Sequence, residues 1–167
     1  MTMRTMLRCI LVASFLLLGA CGFHLRGQAN VPEALARMRL EIADPGTSLN
    51  RDLPPALKRA GATIVEDATG VAVLRIPVST LGPDTLSVGQ TARVREYTMR
   101  FRVEIEAVDA AGAVVIPRQQ VELTRDYTFD ETQALGVAAQ EDQLRKQLQR
   151  DMVQAILRRL EAVGKAH

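Results

Sequence analysis

The chain is poor in the residues from which most binding and catalytic sites are built. Its 167 residues include two cysteines, two histidines, no tryptophan and only 4% aromatics. Two cysteines exclude a disulfide-dense scaffold, and the otherwise ordinary composition excludes collagen-like or disordered chains. The histidines, His24 and His167, lie at opposite ends without a Cys, Asp or Glu partner at metal-ligand spacing, so no metal site is expected. Gly61, Gly70 and Gly82 are isolated and form no phosphate-cradling loop. Ser48, Ser79 and Ser87 lack the context of a nucleophile elbow. The carboxylates form no recognisable catalytic pair. We therefore expect no catalytic residues, no cofactor and no enzyme activity. A net charge of +2 gives no reason to expect a nucleic-acid partner.

Long hydrophobic runs are also scarce, and the one present is informative. Residues 9–18 carry no charge and follow Arg4 and Arg8. As a helix, ten residues reach about 15 Å, half of a hydrocarbon core of about 30 Å. The run is too short to span a bilayer but suits the apolar region of a signal peptide. Leu18-Gly19-Ala20-Cys21 then resembles the bacterial lipobox, in which the cysteine becomes the acylated first residue of the mature chain. We expect residues 1–20 to be a lipoprotein signal peptide, 21–32 the lipidated N-terminus and tether, 33–163 one globular domain and 164–167 a short tail. Cleavage before Cys21 leaves 147 residues with 19 cationic and 19 anionic side chains and one cysteine, which carries lipid. Such a domain has no disulfide and must be stabilised by burial, feasible at this size. Gly22 in place of an aspartate favours sorting to the outer membrane, by resemblance to enterobacterial lipoproteins.

The rest reads as β-α-β-β-β-α. Met38, Leu40 and Ile42 alternate with Arg37, Arg39 and Glu41, the period of a half-buried strand, which Asp44-Pro-Gly46 ends. Leu49, Leu53 and Leu57 share a helical face from near Ser48 to Arg59, with Gly61 as the stop. Pro54-Pro55 inside this stretch predicts a short, two-part helix. A second strand is expected over 71–78, with Pro77 at an edge or a bulge, followed by a Gly/Pro-punctuated loop over 81–91. Tyr97, Met99, Phe101, Val103, Ile105 and Ala107 alternate without a break with polar residues, predicting a long strand with one dry and one charged face. Asp109-Ala-Ala-Gly112 suits a hairpin loop. The return strand passes through Val121, Leu123, Arg125, Tyr127 and Phe129, where Arg125 interrupts the apolar face and so belongs near an edge or a partner surface. Arg100 and Arg102 should form cross-strand pairs with Glu122 and Asp126. Val137, Leu144, Leu148, Met152, Ile156, Leu160 and Val163 share one face of a last helix of about 27 residues, too polar to span a membrane and capped by Asp130 or Thr132. The expected fold is α/β (α+β): a two-layer sandwich in which two helices cover one face of a four-stranded mixed sheet.

Two stretches carry a family resemblance. Cys21-Gly22-Phe23-His24-Leu25-Arg26-Gly27 resembles the mature start of the lipopolysaccharide-assembly lipoproteins (LptE, or rare lipoprotein B). Gly89-Gln90-Thr91-Ala92, followed by Glu96-Tyr97 and a long strand, is similar to that family's loop and third strand. The resemblance implies an outer-membrane lipoprotein that faces the periplasm and plugs, one to one, the lumen of the large β-barrel LptD. It also implies assistance to barrel assembly and to delivery of lipopolysaccharide to the cell surface. A mature chain of this length has a radius of gyration near 15 Å, so only a barrel well beyond porin size could enclose it. The family's basic ligand contacts carry over incompletely. Leu135-Gly136-Val137-Ala138 holds no cation where one contact is expected, and Arg93 and Arg95 match the other only regionally. Paired arginines at a loop edge can take phosphates by bidentate hydrogen bonds; alternatively they are solvated strand charges balancing Glu96 and Glu104. The competing functional reading is a periplasm-facing lipid carrier, or an envelope scaffold without a barrel partner.

Overall fold

A computed structural model of the chain describes residues 30–66, 69–85, 94–130 and 134–164. A single 3-10 turn, Glu33–Leu35, leads into strand β1 (Arg37–Ile42), helix α1 (Leu49–Arg59), strands β2 (Thr63–Ile64), β3 (Ala72–Thr85), β4 (Val94–Val108) and β5 (Val114–Asp130), and helix α2 (Ala134–Gly164). The sheet order is β2-β1-β3-β4-β5. β1 is parallel to both β2 and β3, whereas β4 and β5 are antiparallel to their neighbours. Both helices pack on one face, as expected for a two-layer α/β sandwich.

The sheet has five strands rather than the expected four. The extra strand, β2, has two residues, too few for alternation to reveal it in sequence. Tertiary pairing creates it: Thr63 N–H donates to Ala36 O at 2.7 Å and Val65 N–H to Met38 O at 3.0 Å. The end of α1 delivers the chain there. Gly61, with φ at +93°, lets its N–H donate to Lys58 O while Ala62 N–H donates to Leu57 O, so a left-handed glycine closes the helix and satisfies its last carbonyls.

Helix α1 is one continuous run of eleven residues, not two pieces. Pro54 and Pro55 cannot donate to the carbonyls of Asn50 and Arg51, but both of those residues are exposed, so water can take that role. Leu49, Leu53 and Leu57 are fully buried on the opposite side, and that burial holds the helix together through its prolines.

Pro77 sits at a bulge, one of the two places its sequence context permits. The β3–β4 register shifts between Arg75 and Val78. The extra residue changes which parity of β3 faces the helices: Ala72, Leu74 and Ile76 before it, Ser79 and Leu81 after it. Beyond the bulge β3 runs on to Thr85, through the first half of the expected loop, because β4 is long enough to pair it: Leu81 lies abreast of Phe101 and Thr85 of Tyr97. β1 pairs β3 only as far as Ile76, so Pro83 stands on an edge, where a missing N–H is tolerated. The β4–β5 turn is as predicted. Gly112 has φ at +84°, and Asp109 Oδ1 accepts from the backbone N–H groups of Ala111 and Ala113 at 2.9 and 2.8 Å.

The core lies between sheet and helices. Phe101, Met99, Val103 and Ile105 of β4 meet Leu148, Met152, Ile156 and Leu160 of α2, all at most 1% exposed. At 31 residues, about 46 Å, α2 is somewhat longer than its apolar stripe indicated. Among the described residues no helix is long and apolar enough to cross a membrane. Residues 131–133, and with them Thr132 as a cap, lie outside the described residues.

Candidate docking surface

The face of the sheet turned away from the helices has no second layer among the described residues. It carries five arginines and six carboxylates, from β1 through β5. Glu41 on β1 accepts from Arg75 Nε on β3 at 2.8 Å and from Arg39 Nε at 2.9 Å. Arg75 also lies 3.7 Å from Glu106 on β4. Further along, Glu122 on β5 accepts from Arg100 Nη1 and Arg102 Nε, each at 3.1 Å, and Arg100 Nη2 reaches Asp84 at 3.1 Å. Arg118 bonds Glu104 at 2.7 Å, and Thr98 Oγ1 donates to Asp126 at 2.7 Å. The expected cross-strand pairing of Arg100 and Arg102 with Glu122 is therefore present. Asp126 is not their partner: register places it abreast of Thr98, whose buried hydroxyl it satisfies.

The physical consequence is a hydrated, nearly neutral face rather than a cationic one. The Arg75 hydrogen bond, aided by Arg39, holds the Glu41 carboxyl below the usual carboxylate range, against the opposing effect of burial. Each of these arginines already has a carboxylate. The face is therefore suited to a polar, water-lined wall and poorly suited to capturing phosphates.

Where β3 and β4 run beyond β1, the sheet narrows to three strands roofed by the first turns of α2. Tyr97 and Tyr127 stack there with centroids 5.7 Å apart, and Tyr127 O–H donates to Glu141 Oε1 at 2.6 Å. Burial, with the Glu141 carboxylate beside it, pushes the Tyr127 phenol well above its ordinary range. Arg125 fits its expectation. It lies on edge strand β5, and the gap it leaves in the apolar pattern is filled by an ion pair with Asp151 of α2 at 2.9 Å. Arg159 of α2 likewise donates to Gln119 of β5 at 2.9 Å. The charges of Arg125 and Asp151 were legible in sequence, but their partnership crosses 26 residues and has no local signature.

Of the predicted site residues, Cys21 and Arg93 lie outside the described residues. Arg95 belongs to β4, its backbone abreast of Phe129 of β5, and its side chain lies outside the described set.

A profile of the LptE family, described as Lipopolysaccharide-assembly, matches residues 35–160, from the 3-10 turn to the last buried leucine of α2. The chain belongs to the LptE family. It is 28% identical over 158 residues to the LPS-assembly lipoprotein LptE of Photorhabdus laumondii, covering 94% of this chain and 86% of that one. The solution structure of lipoprotein B from Nitrosomonas europaea superposes with a TM-score of 0.70 at 31% identity, over 87% of this chain and 94% of that one. The rare lipoprotein B of Shewanella oneidensis gives 0.65 at 26% identity, over 78% and 99%. The family match thus covers residues 35–160, and the family places the chain in lipopolysaccharide assembly.

Proposed function

We propose that this LptE-family chain is an outer-membrane lipoprotein, acylated on Cys21 after removal of residues 1–20, which plugs an LptD-type β-barrel. It assists the barrel's assembly and the delivery of lipopolysaccharide through it, without catalysis of its own. Family membership across residues 35–160 carries this reading. The lipobox Leu18-Gly19-Ala20-Cys21 and Gly22 support the anchor and its outer-membrane destination. The bare sheet face supports enclosure: paired charges at half exposure suit a water-lined lumen, whereas lipid would make each pair costly. Acylation with more than one chain would hold the domain stably at the bilayer, since each buried CH2 contributes about 0.8 kcal/mol.

Arg93 and Arg95 are the proposed lipopolysaccharide contacts. In sequence they flank Val94, the first residue of β4, and bidentate guanidinium–phosphate bonding is the chemistry they would supply. Purification of the acylated protein in detergent tests the partnership: stoichiometric recovery of a large barrel protein is expected, and its absence overturns the plug. Arg93→Glu combined with Arg95→Glu should weaken lipopolysaccharide binding with the fold retained, as read by circular dichroism. Unchanged binding would return both arginines to solvated strand charges. A stoichiometric lipid retained by the isolated domain in native mass spectrometry would instead favour a carrier.

A further inference from the structure

Between the head of α1 and the third turn of α2 lies a polar pocket that the plug reading does not use. It holds about 180 Å3 and is lined by Thr47 and Ser48 before α1, Ser79 of β3, and Arg145 and Gln149 of α2, with Phe101 closing its floor. The bulge at Pro77 puts Ser79 there, because the change of parity after it turns this residue toward the helices. Thr47 Oγ1 and Ser79 Oγ lie 2.7 Å apart and join loop to sheet across 32 residues. Arg145 and Gln149 are one helical turn apart, so their side chains are neighbours on one line of α2.

Little of this polarity is satisfied from within. Two hydroxyls bonded to each other use one proton and leave the other to donate. Ser48 makes no capping bond to the helix that follows it. Glu141, one turn before Arg145, accepts from Tyr127 at 2.6 Å, and Asp142 is held by Lys146. Among the described residues neither Arg145 nor Gln149 has a hydrogen-bond or ion-pair partner, although both are half-buried. The arginines of the open sheet face, by contrast, each have a carboxylate. Polar groups drawn into a pocket are normally completed by water or by a ligand.

We propose that this pocket binds a phosphate group, with Arg145 as its charge partner and Gln149, Ser48 and the Thr47–Ser79 hydroxyl pair as its hydrogen-bond donors. A guanidinium engages two phosphate oxygens at once, which leaves the others for donors arriving from α1 and β3. The positive end of α1 adds to the same field. Asp44 stands on the rim and opposes an anion, but its Oδ1 already accepts from Gly46 N–H at 2.9 Å. The phosphate is either free or the headgroup of a lipid. The site goes beyond the plug reading, does not use Arg93 or Arg95, and holds whether or not a barrel is present.

Calorimetric titration of the mature lipoprotein in neutral detergent tests it, once with inorganic phosphate and once with phosphatidic acid carried in the micelles. Saturable binding is expected; saturation by both probes marks a site for free phosphate, and saturation by phosphatidic acid alone marks a headgroup site. Arg145→Gln should weaken that binding at least about tenfold, and Ser79→Ala about two- to fivefold, with circular dichroism unchanged. Lys146→Gln, exposed and paired with Asp142, should leave it as it is. Failure of both probes to saturate overturns the proposal and leaves the pocket to water. Binding that survives Arg145→Gln overturns it as well and assigns the phosphate to another place, Arg93 and Arg95 included. Equal losses in Arg145→Gln and Lys146→Gln overturn it too, as a diffuse attraction to α2.

Discussion

The two faces of the sheet are built from the same strands, yet they are governed by different physics. On the helix side Phe101, Met99, Ile105 and Leu74 are all but removed from water, and each is fixed by the shape of its neighbours. On the other side Glu41, Arg75, Arg100, Arg102 and Glu122 keep roughly a quarter to two-fifths of their side-chain surface exposed and are fixed by mutual charge. Burial is worth kilocalories per side chain, whereas a half-exposed ion pair is worth at most about one. The dry face therefore holds the fold together, and the wet face is free to serve a partner.

That contrast can be tested by perturbing one face at a time. Phe101→Ala should show the largest effect, a loss of about 3–5 kcal/mol from the cavity it opens, read as a lowered midpoint in urea unfolding. Tyr127→Phe, on the helix side beneath the first turns of α2, should cost about 1–2 kcal/mol through its bond to Glu141. The wild-type phenol is held neutral in the fold, with its folded pKa above the unfolded value near 10. Its contribution is therefore present below about pH 10 and lost as pH rises above it. Stability measured across that window should fall with pH in the wild type and less steeply in Tyr127→Phe.

Glu122→Gln removes the carboxylate shared by Arg100 and Arg102, and should cost less than about 1 kcal/mol in thermal unfolding. A Glu122→Gln effect as large as that of Phe101→Ala would break the division between the faces. Glu41→Gln should be smaller still. The Glu41 carboxyl is held below its ordinary value, so its contribution is present above the unfolded carboxylate pKa, about 4.3, and lost as pH falls through the folded one. Glu41→Gln should accordingly lower the neutral plateau slightly and flatten the acid limb of the stability profile, leaving its acid end unmoved.

The charged sheet face was legible only in part. The unbroken alternation of β4 announced both a dry and a charged face, and Glu122 could be paired with Arg100 and Arg102 from register alone. The pairing of Glu41 with Arg75 could not, because it depends on which strand lies beside β1. Asp126 was misassigned because a two-residue difference in register decides whether it meets Arg100 or Thr98. The continuity of α1 was hidden by Pro54 and Pro55, whose cost is local and visible, while the compensating burial of Leu49, Leu53 and Leu57 is not.

Sequence alone determined the order of the long elements, the bulge or edge at Pro77 and the family resemblance, because periodicity, turn chemistry and short motifs are properties of neighbouring residues. Only the tertiary structure decided that β2 exists, that β3 runs on to Thr85 and that Arg125 rests on Asp151. Each of these depends on a hydrogen bond or a contact between segments far apart in the chain, and nothing local encodes it.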